Sequence, residues 1–565
     1  MTTAVGAIAP AESRLAVYDR YLRAYPSTAK RTFYLSLTVL ATVALYYQAY
    51  CAGTVAPQIL NHYGITIKFY LIAAVIGLLF GAAATVLGSL ADRIGRANLV
   101  AYGLLVVGVL EAFVHPHMPN KWTFVAVGST IGFVEGVILV ATPALMRDFS
   151  PRMGRATAMG FWAVGPVLGS LLATEVSSHT LGHLKAWQDQ LTIAGLVGLG
   201  VGAVVVYTLR ELHPSLRDQI MVSLEDRALV EARAKGIDVA AALRNPWKQM
   251  VTPRIVTSAF AIGVFLMFYY VLVGALVIYL ETTFLFSASK ANSVANWAWL
   301  VNATSLVLFG YLSDKLRVRK PFMVVGGIGS LVTVLVFGSY AVHPGTSATK
   351  LSVTLGVQAL FGAMVFAPWM AGFTETVEER NPALVATGLA VSGGVLRIVV
   401  SITIFMFPFV VPAVTPLVDY GPQVQQYSTK YASQLQTAQA IAPSTLSALR
   451  RNPGDGAAIV AALREVESSL HVTQAQAIAR LQALPAAVPQ LNYLAKHGPE
   501  VLTALRKDPH QWRRWWLVTA AGQILFLPLI LAMVGPWTPA AGRRRDAEHE
   551  ARMAAALAAE VPVAV

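Results

Sequence analysis

Two ionisable side chains stand inside long apolar runs. Glu135 lies near the middle of one, in Gly132-Phe-Val-Glu135-Gly136, and Arg397 near the middle of another, in Gly394-Val-Leu-Arg397. A charge at mid-membrane is costly and is normally turned toward a cavity or a partner. A carboxylate so placed can take up and release a proton. An arginine stays protonated and can grip a carboxylate or phosphate through two parallel hydrogen bonds. The plainer alternative is that the two pair with each other or with local polar groups and serve packing or gating. Polar and aromatic side chains recur in other apolar runs: Tyr46, Tyr47, Gln48 and Tyr50; Tyr269 and Tyr270; Asn296, Trp297, Trp299 and Asn302; Gln358 and Trp369. Such groups hydrogen-bond a small polar ligand and pack its apolar part. From them Tyr47, Gln48, Tyr270, Asn302 and Gln358 join Arg397 as candidate substrate contacts, with Glu135 as the candidate proton site. Glu111 and Glu175 fall near the outer ends of their runs, where water is in reach. Glu375, Glu378, Glu379 and Arg380 fall in an expected loop.

Enzymatic chemistry has no comparable signature. There is no glycine-rich phosphate loop ending in Gly-Lys-Ser/Thr, so ATP drive is not expected. The histidines at run edges (His62, His115, His117, His179 and His183) lack metal-ligand spacing on a common helix. The reading is therefore not an enzyme, with no cofactor and no metal. Composition agrees with a membrane chain. The 565 residues are 56% hydrophobic and only 13% charged, with mean hydropathy +0.58, where a soluble domain carries about 25% charged residues. The net charge of +14 sits mostly beside apolar runs, the look of cytoplasmic loops and not of a nucleic-acid surface. The single cysteine, Cys51, excludes an intramolecular disulfide.

The elements that must position these residues are twelve expected spans: 33–56, 69–91, 97–115, 121–145, 156–177 and 189–209, then 255–281, 291–313, 321–342, 350–372, 384–411 and 514–536. The fold class is an all-α membrane protein with two six-helix bundles and a small helical insert. Its parts are a segment 1–32, a bundle 33–210, a linker 211–254, five helices in 255–411, the insert 412–512, a twelfth span in 513–537 and a tail 538–565. Lys and Arg concentrate in the N-terminal segment, in the loops after spans 2, 4 and 8, and at Arg543–Arg545. Both termini and the linker are thus expected in the cytoplasm, and the insert outside it. Ser13–Tyr25 has the pattern of an amphipathic helix. In the insert, Pro443–Pro453 and Pro499–Pro509 are similar and read as two short helices stopped by proline. Trp512, Trp515 and Trp516, with Arg513 and Arg514 between them, read as an interface anchor for span 12.

A stretch between spans 2 and 3 ties this plan together. Gly88-Ser-Leu-Ala-Asp92-Arg93-Ile-Gly95-Arg96 returns 222 residues later as Gly310-Tyr-Leu-Ser-Asp314-Lys315-Leu-Arg317, again between two apolar runs. Glycine there permits close helix approach. The aspartate at the membrane exit can pair with an arginine or face a helix N-terminus. Six spans, a linker, six spans and this paired loop resemble the major facilitator superfamily. The resemblance covers the spans and not the insert. It implies a central cavity among spans 1, 4, 7 and 10, and a conformational latch at Gly88, Asp92, Arg93, Gly95, Arg96, Gly310, Asp314 and Lys315, with the start of span 11 as the partner of Asp92. In the second copy Arg317 stands where the resemblance calls for glycine. Span 5 carries Gly160, Gly165, Pro166 and Gly169, similar to a motif of proton-coupled exporters, with Phe161 and Ser170 replacing two of its glycines. A kinked, closely packed span explains it as well.

The expectation is a secondary active transporter working by alternating access: a plasma-membrane protein, a monomer, with the lipid bilayer, a small-molecule substrate and protons as partners. The intramembrane arginine favours symport of a small organic anion or polar metabolite. An exporter of amphipathic compounds and a sensor using the insert are the alternatives.

Overall fold

The computed structural model describes residues 20–22, 24, 26–84, 95–149, 155–184, 186–212, 246–380, 385–533, 535–544, 547–548 and 551. Twelve long helical segments follow the expected spans: α1 (Thr28–Thr54), α2 (Ile67–Ala84), α3 (Arg96–His117), α4 (Lys121–Phe149), α5 (Arg155–Thr180), α6 (Trp187–Thr208), α7 (Pro253–Phe284), α8 (Ala288–Leu316), α9 (Lys320–Tyr340), α10 (Ala348–Arg380), α11 (Val385–Val410) and α12 (Val488–Leu529). Apolar runs of this length become helices because hydrocarbon offers no partner to a backbone N–H or C=O. Ten described segments are long and apolar enough to cross a membrane; α5 and α8 are not among them.

The internal repeat is visible in the packing. Helix pairs 1–5, 2–4, 3–4, 3–6 and 1–6 of the first half recur as 7–11, 8–10, 9–10, 9–12 and 7–12 in the second. Between the halves, α5 packs on α8 and α2 on α11, which are equivalent pairs under the same repeat. Water does not drive helices together inside a bilayer, so close approach has to come from small residues. A Cβ on Gly81 would lie 3.1 Å from the Gly132 carbonyl oxygen, and one on Gly132 would lie 3.2 Å from that of Gly77.

The halves meet at the end of the bundle that carries the insert. Asn292 of α8 donates to the Thr54 carbonyl at 3.3 Å. Ser289 donates to the Ser178 carbonyl, and Asn296 donates to Glu175. The insert adds short helices at Val414–Asp419, Gly421–Lys430, Ala432–Ala440, Pro443–Arg451, Gly456–Leu470 and Gln474–Gln482. The first of them reaches the opposite half, where Asp419 accepts from the Ile67 N–H at 2.9 Å, at the start of α2.

Several expectations need correction here. The second copy of the insert repeat is not a short helix stopped by proline, because Pro499 and Pro509 both lie inside α12. At 42 residues and about 1.5 Å per residue, that helix reaches roughly 63 Å. It therefore projects well beyond a hydrocarbon layer of ~30 Å. Its first part survives two prolines because Val501 and Ala504 are buried against Ala413 and Leu417. The three tryptophans are not an interface anchor. Trp512 and Trp515 are 0% exposed and Trp516 1%, packed on Tyr279, Phe337 and Phe407 with ring centroids 4.7–5.5 Å apart. Their spacing puts all three on one helix face, and that face turns inward while Arg513 and Arg514 stay exposed. Of the expected amphipathic helix, Tyr21–Leu22 is instead a strand, paired in parallel with Glu211–Leu212; residues 13–19 lie outside the described residues.

Candidate functional site

A cavity of about 890 Å³ lies between the halves. Glu135 enters it from α4 and Arg397 from α11. They do not pair: among the described residues Arg397 makes no ion pair, and Glu135 Oε1 is buried without a hydrogen-bond partner. Tyr46 of α1 lies within electrostatic reach of both, and Tyr270 within reach of Arg397. The wall therefore presents a carboxyl, a guanidinium and tyrosine hydroxyls.

Gln48, Tyr270, Asn302 and Gln358 also line the cavity. Gln358 Nε2 donates to Ser330 at 2.7 Å, which leaves its Oε1 buried and free of a partner among the described residues. Neither Gln48 Oε1 nor Nε2 has one, and Gly198 of α6 supplies the room that this side chain occupies. Asn302 donates to the Ala359 carbonyl at 3.4 Å. Tyr47 is the exception. It is 1% exposed and packed among Cys51, Val55 and Ile59 inside the first half. One residue along a helix turns a side chain by about 100°, so Tyr46 and Tyr50, one turn apart, face the cavity instead, with rings 5.4 Å apart.

Two residues of the wall were assigned elsewhere by sequence. Glu111, expected near water, is 2% exposed and lines the cavity. The cause is local: α3 widens into a π-turn at Leu110–Val114, and His115 closes over Glu111 with Nδ1 3.0 Å from Oε2. A wider turn of this kind has no reliable pattern in sequence.

The repeated loops flank the other end of the bundle. Gly88, Asp92 and Arg93 lie outside the described residues, as does the expected partner segment 381–384. Gly95 has φ +99° and, in the second copy, Arg317 has φ +55°. Equivalent positions thus demand a left-handed backbone, in the second case from an arginine. Asp314 pairs with Arg319 at 2.7 Å, and Arg319 also reaches Glu375 at 3.0 Å. Glu375 belongs to the end of α10 and not to a loop. Lys315 is exposed, with its ammonium 5.7 Å from the Tyr311 ring centroid. In the first copy the Arg96 N–H donates to Glu211 at 2.9 Å. Glu211, the first residue of the expected linker, is 0% exposed and supplies an anion at the N-terminus of α3, where the helix dipole favours one. In α5, Gly165 and Gly169 seat the helix on α1: a Cβ on either would come within 2.5 Å of Thr42 or Tyr46. Pro166 lines the cavity, and Gly160 lies in the same helix.

Comparison with known proteins bears on this architecture. Residues 38–273 match the family model described as Major Facilitator Superfamily. The chain is 25% identical over 330 residues to YfiG of Bacillus subtilis (strain 168), named as a metabolite transport protein, covering 53% of this chain and 64% of that one. It is 25% identical over 148 residues to the membrane sensor protein UhpC of Salmonella typhimurium, covering 25% and 31%. The match thus spans less than two thirds of either relative. Among solved structures, a bacterial homolog of the human lysosomal transporter Spinster, inward-facing and occupied, superposes with TM-score 0.54 at 15% identity, over 90% of this chain and 100% of that one. The xylose transporter XylE from E. coli, in a partially occluded inward open conformation, gives 0.51 at 16% identity over 67% and 91%. These structural likenesses concern the fold. The family match covers spans 1 to 7, and with the repeated helix pairs and the paired loops it makes the chain similar to the Major Facilitator Superfamily.

Proposed function

We propose that the protein is a secondary active transporter that carries a small organic anion together with protons by alternating access. The carrying observation is the cavity wall itself. A carboxyl and a guanidinium enter one cavity from opposite halves, unpaired with each other. Glu135 is the proton site. Arg397 holds the anionic group of the solute, and Tyr270, Asn302, Gln48 and Gln358 complete its contacts, with Tyr46 and Tyr50 in place of Tyr47. The paired loops, with Arg319 bridging Asp314 and Glu375, act as the latch that is made in one state and released in the other. The loop end and both termini face the cytoplasm across the plasma membrane, and the protein works as a monomer.

Proteoliposomes with an imposed pH gradient test this reading. Uptake of carboxylates or phosphates driven by the gradient is expected in wild type. In Glu135→Gln the gradient ceases to drive uptake while exchange of internal for external solute persists. Arg397→Lys weakens apparent affinity by roughly tenfold, since one point charge replaces a bidentate donor. Equal affinity in wild type and Arg397→Lys overturns the anion clamp. Gradient-driven uptake by Glu135→Gln overturns the proton site.

A second reading has one observation of its own. The similarity to a membrane sensor protein over 148 residues, with an insert that touches both halves, supports a sensor in which the insert receives the signal. Deleting residues 421–484 from the full chain separates the two readings, because a transporter retains ligand binding in the cavity and a sensor of this kind loses it.

A further inference from the structure

The Glu111–His115 pair is a second polar pole of the cavity. Both side chains are almost fully buried, at 2% and 6% exposure, yet both line the cavity. Glu111 Oε2 and His115 Nδ1 are 3.0 Å apart. A carboxylate accepts there from Nδ1–H, which leaves Nε2 of the neutral ring with a free lone pair. Nε2 is buried and has no hydrogen-bond partner among the described residues. Buried polar atoms are nearly always satisfied, so one left open beside a cavity points to a ligand.

The surroundings enclose this nitrogen. The ring is stacked on Phe124, with centroids 4.1 Å apart. Across from Nε2 stands Gly128 of α4, where a Cβ would sit 3.4 Å away. The π-turn that brings Glu111 and His115 onto one face is itself held, since Thr192 of α6 donates to the Ala112 carbonyl at 3.3 Å. Gln48 and Gln358 add further open polar atoms to the same cavity. Open acceptors of this kind are met by hydroxyl groups, and the aromatic wall packs against the carbon skeleton that carries them.

We propose that the Glu111–His115 pair is a hydroxyl-binding subsite and that the solute is therefore a hydroxylated organic anion, held by Arg397 at one end and by His115 Nε2 at the other. The assignment rests on the anion-transport reading above, and it narrows the substrate class from any small anion to one bearing hydroxyl groups.

Matched probes test it on the full-length protein in nanodiscs: gluconate against hexanoate, glycerol 3-phosphate against propyl phosphate, and the neutral polyol sorbitol. Affinity is read by calorimetry and by thermal stabilisation. The hydroxylated member of at least one pair should bind roughly tenfold more tightly than its deoxy partner. His115→Phe keeps the stacked ring but removes Nε2. Gly128→Ala leaves the pair intact and sets a methyl group against Nε2 in ordinary van der Waals contact, so it serves as a second variant that folds. Each should abolish the preference while the deoxy probe binds as before. Equal binding of both members of every pair, or a preference that survives in both variants, overturns the subsite; if Arg397→Ala still abolishes binding, the anion reading stands alone. Sorbitol binding that ignores Arg397→Ala but fails in His115→Phe overturns the anion reading and keeps the subsite. Binding of none of the five probes overturns both.

Discussion

At the scale of single residues, the charges inside the bundle differ in whether they are paired. Arg397 and Glu135 make no ion pair with each other, whereas Arg319, just after Arg317 of the second loop copy, is committed to Asp314 and Glu375. The contrast follows from position. A partly buried arginine at a helix end can satisfy its fork on carboxylates of two elements, while Arg397, which lines the cavity, makes no ion pair among the described residues. Arg319→Gln removes the cation shared by the two acids. The expected cost is about 1–2 kcal/mol, between that of an exposed pair and a buried one, read as a lower unfolding temperature in detergent.

At the scale of elements, helix ends and helix faces explain what the sequence pattern left open. The turn after α8 requires φ > 0, and Arg317 adopts it at +55°. A side chain in that region costs about 1–2 kcal/mol, which glycine avoids, although glycine loses more entropy on folding. Arg317→Gly is therefore expected to stabilise the protein by about 0.5–1 kcal/mol, seen as a higher unfolding temperature with unchanged oligomeric state. Along α12, the tryptophan face belongs to the packed interior of the second half. Trp516→Ala opens a cavity among Phe268, Tyr279 and Phe337 and should cost about 3–5 kcal/mol. Arg513→Ala, on the exposed face, should leave stability within about 0.5 kcal/mol. An interface anchor would show a much smaller difference between the two.

At the scale of the whole molecule, the insert is a strap across the halves. It leaves α11, touches the start of α2 through Asp419, and returns through the long α12. Asp508, in the part of α12 before the span, accepts from Thr283 at the end of α7 at 2.8 Å. Burial pushes the Asp508 carboxyl up to about 7, against the hydrogen bonds that lower it. Burial likewise pushes Asp419 up to about 6, with the Ile67 N–H and Lys68 pulling the other way. Both lie above the ordinary value of 3.8 for an unfolded aspartate. A carboxyl raised in the folded state binds a proton more tightly there, so its contribution is full below about pH 4 and is lost as pH rises through 6 and 7. The strap should therefore hold the halves more firmly as the medium around it acidifies. In the wild type, thermal stability is expected to be higher at pH 5 than at pH 7.5. Asp419→Asn with Asp508→Asn, which fixes the neutral form, should shrink that difference and raise stability at pH 7.5. An unchanged pH difference in the double variant would rule out the strap as its source.

What the sequence determined by itself is whatever depends on order along the chain. Apolar runs long enough to cross hydrocarbon can only be helices, so the twelve segments were readable one by one. A glycine–aspartate–basic loop returning at a fixed offset announced two equivalent halves, and the pairings 1–5 and 7–11, 2–4 and 8–10 express that equivalence. A charge inside an apolar run is conspicuous without any structure, which is why Glu135 and Arg397 could be named. Tertiary structure alone decided which way each side chain turns and what lies opposite it. Tyr46 and Tyr47 are neighbours of identical type, and a rotation of about 100° separates cavity wall from core. The tryptophans of α12 and Glu211 are buried by surfaces drawn from distant parts of the chain. Glu111 and His115 reach the cavity through a local widening of α3 whose supporting hydrogen bond comes from another helix, a contact that no spacing within α3 encodes.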